Sequence, residues 1–193
     1  MKFKNIRVHG LYPSIIKSGY PMLSNEPGDL YSPVSGDVVP TEKAVERALK
    51  LANTSNGLGH NNFLKGIIIQ FDLQYPEYFS PQLQRYHWID IVSSQSKMHK
   101  IMSKHLTKND FVLPISQFWL DHLNDLIDEK RFNELINELP SGYMKWMGIS
   151  TNYLQLKTIY NQRCKHKHKL KEWTEFGEFI ETLPMSELII GKK

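Results

Sequence analysis

One cysteine among 193 residues, Cys164, excludes an internal disulfide and points to a reducing, intracellular setting, with the cytoplasm as the expected compartment. No run approaches the roughly 20 apolar residues that a membrane-crossing helix needs, so no membrane partner is expected. The opening Met-Lys-Phe-Lys-Asn is too polar for a secretory signal. Nucleophile-elbow, P-loop, dinucleotide-glycine and metalloprotease motifs are all missing. No pair of carboxylates stands out for acid–base work, and there is no internal repeat or low-complexity tract. Charge is only mildly one-sided: 24 Lys and Arg against 20 Asp and Glu give a net +4. That favours anionic ligands without deciding between nucleotide and nucleic acid.

What is present describes one domain over residues 1–193. Forty per cent hydrophobic and 23% charged residues are enough to bury a core without a metal or disulfide staple. Phe3 to His9 alternates as a first strand. Residues 10–40 carry Pro13, Pro21, Pro27, Pro33 and Pro40 and read as a long irregular excursion. Thr41 is placed as the N-cap of an amphipathic helix with Val45, Ala48, Leu49 and Ala52 inward. Asn56-Gly57 and Gly59 mark a turn, and Ile67, Ile69, Phe71 and Leu73 alternate as a half-buried strand. Helices are predicted over 80–92 (Leu83, Ile89 and Val92 inward), 118–127, 132–139 and 171–182. A long helix carries Asn152, Leu156, Ile159, Tyr160 and Arg163 on one face. Helices with a few non-adjacent strands make the class α+β.

Several constellations carry chemistry. Gln82 and Arg85, at i and i+3, bring an amide and a guanidinium to one helix face; a solvated face is the alternative. Arginine suits phosphate because its planar fork donates two parallel hydrogen bonds. Asn152 and Arg163 lie eleven residues apart, roughly 16 Å along a helix, so they cannot grip one small group. They suit opposite ends of a long ligand, or ligands contributed by different subunits; by pattern alone Asn152 is better read as a helix cap. The run from Arg163 to Lys171 is strongly basic, either an electrostatic funnel for nucleotide or nucleic acid or a solvated surface. Cys164, His166 and His168 lack a fourth ligand and a standard spacing, so no metal is expected. His60 follows Gly59 in a turn where the backbone can approach a ligand closely, although a lone loop histidine is more often just part of the polar surface. Ser93-Ser94-Gln95-Ser96 offers hydroxyl and amide donors that could cradle phosphate or merely end a helix.

Taken together, the order of these residues from about Gly59 to Trp173 resembles the flavin-dependent thymidylate synthases. Gly59-His60, Asn62, Leu64 and the strand ending Phe71-Asp72-Leu73 are similar to the family's Gly-His-x-Ser/Thr-x-x-Glu-His loop and following strand. Gln82-Leu83-Gln84-Arg85-Tyr86-His87 resembles its Gln-x-x-Arg-His-Arg opening, and Gln95-Ser96 the end of that signature. Leu139-Pro140, Thr151-Asn152, Leu156, Arg163 and Lys171-Glu172-Trp173 resemble its C-terminal nucleotide-binding stretch.

The resemblance implies an antiparallel sheet flanked by helices and a homotetramer with sites shared between subunits. It implies FAD as cofactor, dUMP or a related pyrimidine nucleotide as substrate, and folate and NADPH as further partners. Gln82, Arg85, Ser96 and Arg163 would then bind the nucleotide, with Ser96 and Arg163 in the catalytic role. His60, Asn62, Arg85, His87 and Asn152 would lie against the flavin. In the family, reduced flavin passes a hydride to the nucleotide and methylenetetrahydrofolate supplies the carbon. The chain departs from the pattern at four places. Arg-His-Arg reads Arg85-Tyr86-His87, and the Arg85–Ser96 spacing is one residue longer. Lys65 stands where the loop carries glutamate, and Ile136 where an arginine is expected. A catalytically lapsed, nucleotide-binding homologue is therefore the alternative. A nucleic-acid-binding domain ranks last, since its basic run needs none of the Gly59–Arg85 layout.

Overall fold

The computed structural model describes residues 1–26, 31–32, 36–37, 39–55, 58–166 and 169–191. Pro27 and Pro33, the Asn56-Gly57 turn, and Lys167 and His168 of the basic run lie outside the described residues. The class is α+β, as expected. A four-stranded antiparallel sheet is built from β1 (Lys2–His9), β4 (Ile68–Pro76), β5 (Asp90–Ser94) and β6 (Met144–Asn152), in the order β1-β4-β6-β5. A separate two-residue ladder pairs β2 (Tyr31–Ser32) with β3 (Gly36–Asp37).

Period-two patterning sets which face of the sheet is buried. Ile69, Phe71, Leu73 and Tyr75 of β4 and Met147 and Ile149 of β6 point inward, with Ile67 buried just ahead of β4. They meet α2 (Glu42–Ala52), α7 (Tyr153–Ile159), α8 (Lys171–Glu181) and α9 (Glu187–Ile190). Phe3, Phe71, Phe176 and Phe179 interlock there, Phe3 stacking on Phe179 at 4.0 Å between centroids. Trp173, Phe176 and Ile180 of α8 are fully buried, as their spacing predicts. Thr41 caps α2, its side chain accepting from the Ala44 N–H at 3.3 Å. A second apolar cluster, centred on Leu123, Leu126 and Leu135, joins α5 (Gln117–Asp128) to α6 (Phe132–Glu138).

Three expectations are corrected. Residues 11–17 of the proline-rich stretch form a helix, α1 (Leu11–Lys17). Gly10 opens it at φ 71, where an added Cβ would lie 2.4 Å from the Gly66 carbonyl oxygen; only glycine lets β1 turn there against the loop that precedes β4. The helix predicted over 80–92 is a single turn, α3 (Ser80–Leu83), followed by a turn and by β5. The β-branched run Ile91-Val92 decided the outcome, with Ile91 pairing to Ile149 along the edge of β6. Val92 falls in a bulge between Ile91 and Ser93 and is 67% exposed, so it is not core. The long helix bearing Asn152 and Arg163 is α7 followed by a π-helical turn, Tyr160–Cys164, with Asn152 outside it as N-cap. That turn breaks the 3.6-residue register on which the shared face rested.

Candidate functional site

The Gly59–His87 segment and the β6–α7 junction meet at one end of the sheet. Ile68 at the start of β4 pairs with Asn152 at the end of β6, and the Tyr153 N–H donates to the Ile67 carbonyl at 3.0 Å. A cleft of about 410 Å³ opens there, lined by Lys65, Ile68, Trp88, Asp90, Asn152 and Gln155 among others. That volume lies within the range of small-molecule sites. Its floor is tied down from several elements. Asn152 Oδ1 accepts from the Gln155 N–H at 2.9 Å, Gln155 Oε1 accepts from the Trp88 N–H at 3.3 Å, and the Thr151 hydroxyl donates to the Trp88 carbonyl at 2.6 Å.

These bonds fix the backbone of Trp88 on both sides while leaving its indole 54% exposed at the cleft. They also use the oxygens of both amides, so the NH₂ groups of Asn152 and Gln155 remain as donors to a ligand carbonyl or ring nitrogen. A rigid aromatic face beside two amide donors suits a planar heterocycle.

A second cluster lies further along the α7 side. Trp173 Nε1 donates to Gln82 Oε1 at 2.9 Å, and Tyr86 meets the Trp173 ring edge-on at 6.0 Å. Arg163 donates through Nε to the Tyr86 hydroxyl at 3.1 Å, and its guanidinium lies 5.6 Å from the Trp173 centroid. Gln82, Tyr86 and Arg163 thus converge on one buried indole, although Arg163 follows Gln82 by eighty-one residues. Arg163 sits in the π-helical turn, a feature that recurs at functional sites. Its neighbour Cys164 is not a nucleophile: burial pushes the thiol up to about 12, leaving it neutral at ordinary pH.

The remaining predicted residues divide. Arg85 sits in the turn after α3, exposed, not on a helix face with Gln82. His87 is exposed and meets the Trp88 ring edge-on at 5.1 Å. His60 and Asn62 are exposed on the loop that leads to Lys65. Ser96 is elsewhere. Asp90 of β5 pairs with Ser150, whereas the Gln95 N–H donates to the Trp146 carbonyl at 2.9 Å. Those four residues of β6 carry Ser96 about 13 Å down the strand. There it lines a basic groove of about 550 Å³ with Lys97, Lys100, Lys104 and Lys145. Glu77 pairs with Lys97 at 2.8 Å and Asp110 with Lys104 at 3.4 Å, so the carboxylates offset only part of the charge. Within one chain, Ser96 and Arg163 do not meet.

Solved structures share this arrangement of strands and helices. A crystal structure of flavin dependent thymidylate synthase ThyX from Helicobacter pylori, complexed with FAD and dUMP, matches with a TM-score of 0.73 at 16% identity, covering 98% of this chain and 97% of that one. The fold is that of the flavin-dependent thymidylate synthases. A second structure of Helicobacter pylori ThyX with FAD and dUMP gives a TM-score of 0.70 at 16% identity and the same coverage. The UMP/dUMP methylase PolB from Streptomyces cacaoi, bound with 5-Br dUMP, gives 0.62 at 12% identity, covering 93% of this chain and 89% of that one. No family model matches the sequence, and no curated protein matches it.

Sequence reasoning missed Trp88 and Gln155. Reading 80–92 as a helix hid Trp88, because the turn that presents its indole exists only if the helix stops at Leu83. The β-branched pair Ile91-Val92 was the available signal. Gln155 was legible only from its distance to the Asn152 cap.

Proposed function

We propose that this chain binds FAD and a pyrimidine nucleotide of the dUMP class and acts as a thymidylate synthase-like methyltransferase. Methylenetetrahydrofolate would be its carbon donor and NADPH its reductant. The observation that carries this reading is the convergence of Gln82, Tyr86 and Arg163 on Trp173 beside the Trp88–Asn152 cleft, in a fold whose solved examples hold FAD and dUMP. The cleft fits a flavin ring on chemical grounds. Trp88 supplies an aromatic face, Ile68 and Leu154 supply apolar walls, and the Asn152 and Gln155 amides supply donors. When bound, the flavin supplies the hydride chemistry.

The chain's own residues orient and polarise. Trp88, Asn152 and His87 hold the ring, with His60 and Asn62 on the loop beside it. Gln82, Arg85 and Arg163 hold the nucleotide. Ser96 and the lysines around it form a phosphate-attracting groove at the far end of the sheet. Because Ser96 and Arg163 lie apart in one chain, a complete site takes Ser96 from a second copy. The homotetramer expected from the family resemblance provides one.

A second reading, a nucleotide-binding homologue without turnover, is favoured by Lys65, whose cation lines the cleft. One experiment separates the two: incubate the FAD-loaded protein with dUMP, methylenetetrahydrofolate and NADPH, and follow dTMP. Product formation supports the enzyme, whereas dUMP binding without product supports the second reading. Failure to bind either FAD or dUMP defeats both.

A further inference from the structure

A different side of α7 carries a buried cation that the proposed chemistry does not use. Lys157 is 8% exposed, and its ammonium donates to the carbonyls of Ala52 and, at 2.9 Å, Thr54, at the C-terminal end of α2. An ammonium has three N–H donors, so one remains. No carboxylate pairs with Lys157 among the described residues. The end of a helix offers roughly half a negative charge against this full positive one. The balance stays positive in a place where uncompensated charge is costly.

Lys157 lines a cavity of about 550 Å³ whose further lining includes Asn53, Ser55, Asn161 and Lys165, with no acidic side chain among the described residues. Lys165 adds a second cation; Asn161 and Ser55 add neutral donors. We propose that this cavity binds a phosphate-class oxyanion, at a site separate from the flavin cleft and from Arg163. The direction of the Lys157 ionisation agrees: burial holds it below the ordinary lysine range, the state a bound anion relieves.

The test uses the full chain, thermal melts and calorimetry, with inorganic phosphate titrated against chloride at equal ionic strength. Wild type is expected to show a saturable rise in melting temperature with phosphate. Asn161→Asp, at an exposed position, puts a carboxylate beside the ammonium; it should weaken the phosphate response roughly tenfold or more while the circular dichroism spectrum stays native. Arg163→Ala should keep the response, because the site does not include it. Adenosine monophosphate run in parallel identifies the source: tighter binding than phosphate assigns a nucleotide's phosphoryl group, and weaker binding assigns the free ion. The proposal is overturned if wild type responds no more to phosphate than to chloride. It is equally overturned if Asn161→Asp responds as wild type does, or if the response disappears in Arg163→Ala and survives in Asn161→Asp.

Discussion

Replacing Arg163 with alanine separates the two things this residue does. Its Nε donates to the Tyr86 hydroxyl at 3.1 Å and its guanidinium lies 5.6 Å from the Trp173 centroid. A partly exposed cation–π contact is worth about 0.5–1 kcal/mol, and one hydrogen bond about 1 kcal/mol net. The fold should therefore lose roughly 1–2 kcal/mol. In a domain of this size that lowers the melting temperature by about 2–8 °C, leaving the protein folded at 25 °C. Loss of one charged hydrogen bond to phosphate is larger, about 1.5–3 kcal/mol, so dUMP should bind roughly ten- to 150-fold more weakly. Flavin content should hardly move, because the Trp88–Asn152 cleft has its own supports. Calorimetry with dUMP reads the first quantity, and flavin absorbance after gel filtration reads the second. Tyr86→Phe is the companion variant: it removes the acceptor and keeps the guanidinium, so dUMP affinity should fall only a few-fold. Arg163→Ala protein that binds dUMP as wild type does would refute the assignment of Arg163 to the nucleotide.

Three further outcomes follow. Trp88→Ala removes an exposed ring whose backbone is fixed independently, so circular dichroism should stay native while FAD affinity falls by about 1–3 kcal/mol, the usual worth of one aromatic stacking partner; unchanged FAD affinity in a titration would count against the cleft. Gly177→Ala places a Cβ 2.8 Å from the Cys164 Cβ, and this overpacking should cost about 1–3 kcal/mol in urea unfolding; a variant as stable as wild type would contradict the packing of α8 on the π-helical turn. Folding raises the Cys164 thiol from its ordinary 9.0 to about 12. Its contribution is therefore complete below pH 9 and is lost as pH rises toward 12, where the unfolded chain ionises first. Cys164→Ser should flatten that alkaline loss, and superimposable stability profiles above pH 9 would exclude it.

The first strand and the buried face of β4 were legible because period two is a local signal, whereas β6 was not read as a strand. Ile69, Phe71 and Leu73 needed no knowledge of their neighbours to be read as a buried face. The N-cap at Thr41 and the α8 stripe Trp173, Phe176, Ile180 were legible for the same reason. Other features depended on distant pairing. Asp90–Ser94 became a strand because β6 offered it an edge, and that pairing stopped α3 after one turn. The π-helical turn at Tyr160–Cys164 leaves no periodic trace, so the expected common face of Asn152 and Arg163 could not be checked from spacing. The family-like order of Gln82, Arg85, Asn152 and Arg163 pointed to the end of the sheet where the Trp88–Asn152 cleft opens. It could not show that Tyr86, in the middle of the altered Arg85-Tyr86-His87 signature, is the residue that holds Arg163.

The central claim is that one protein binds both flavin and a deoxyuridine nucleotide. The direct measurement is the absorbance spectrum of the purified chain after incubation with FAD and removal of unbound cofactor, recorded before and after addition of dUMP. The account predicts a retained flavin band that shifts when dUMP binds. A colourless protein that ignores both FAD and dUMP would contradict it.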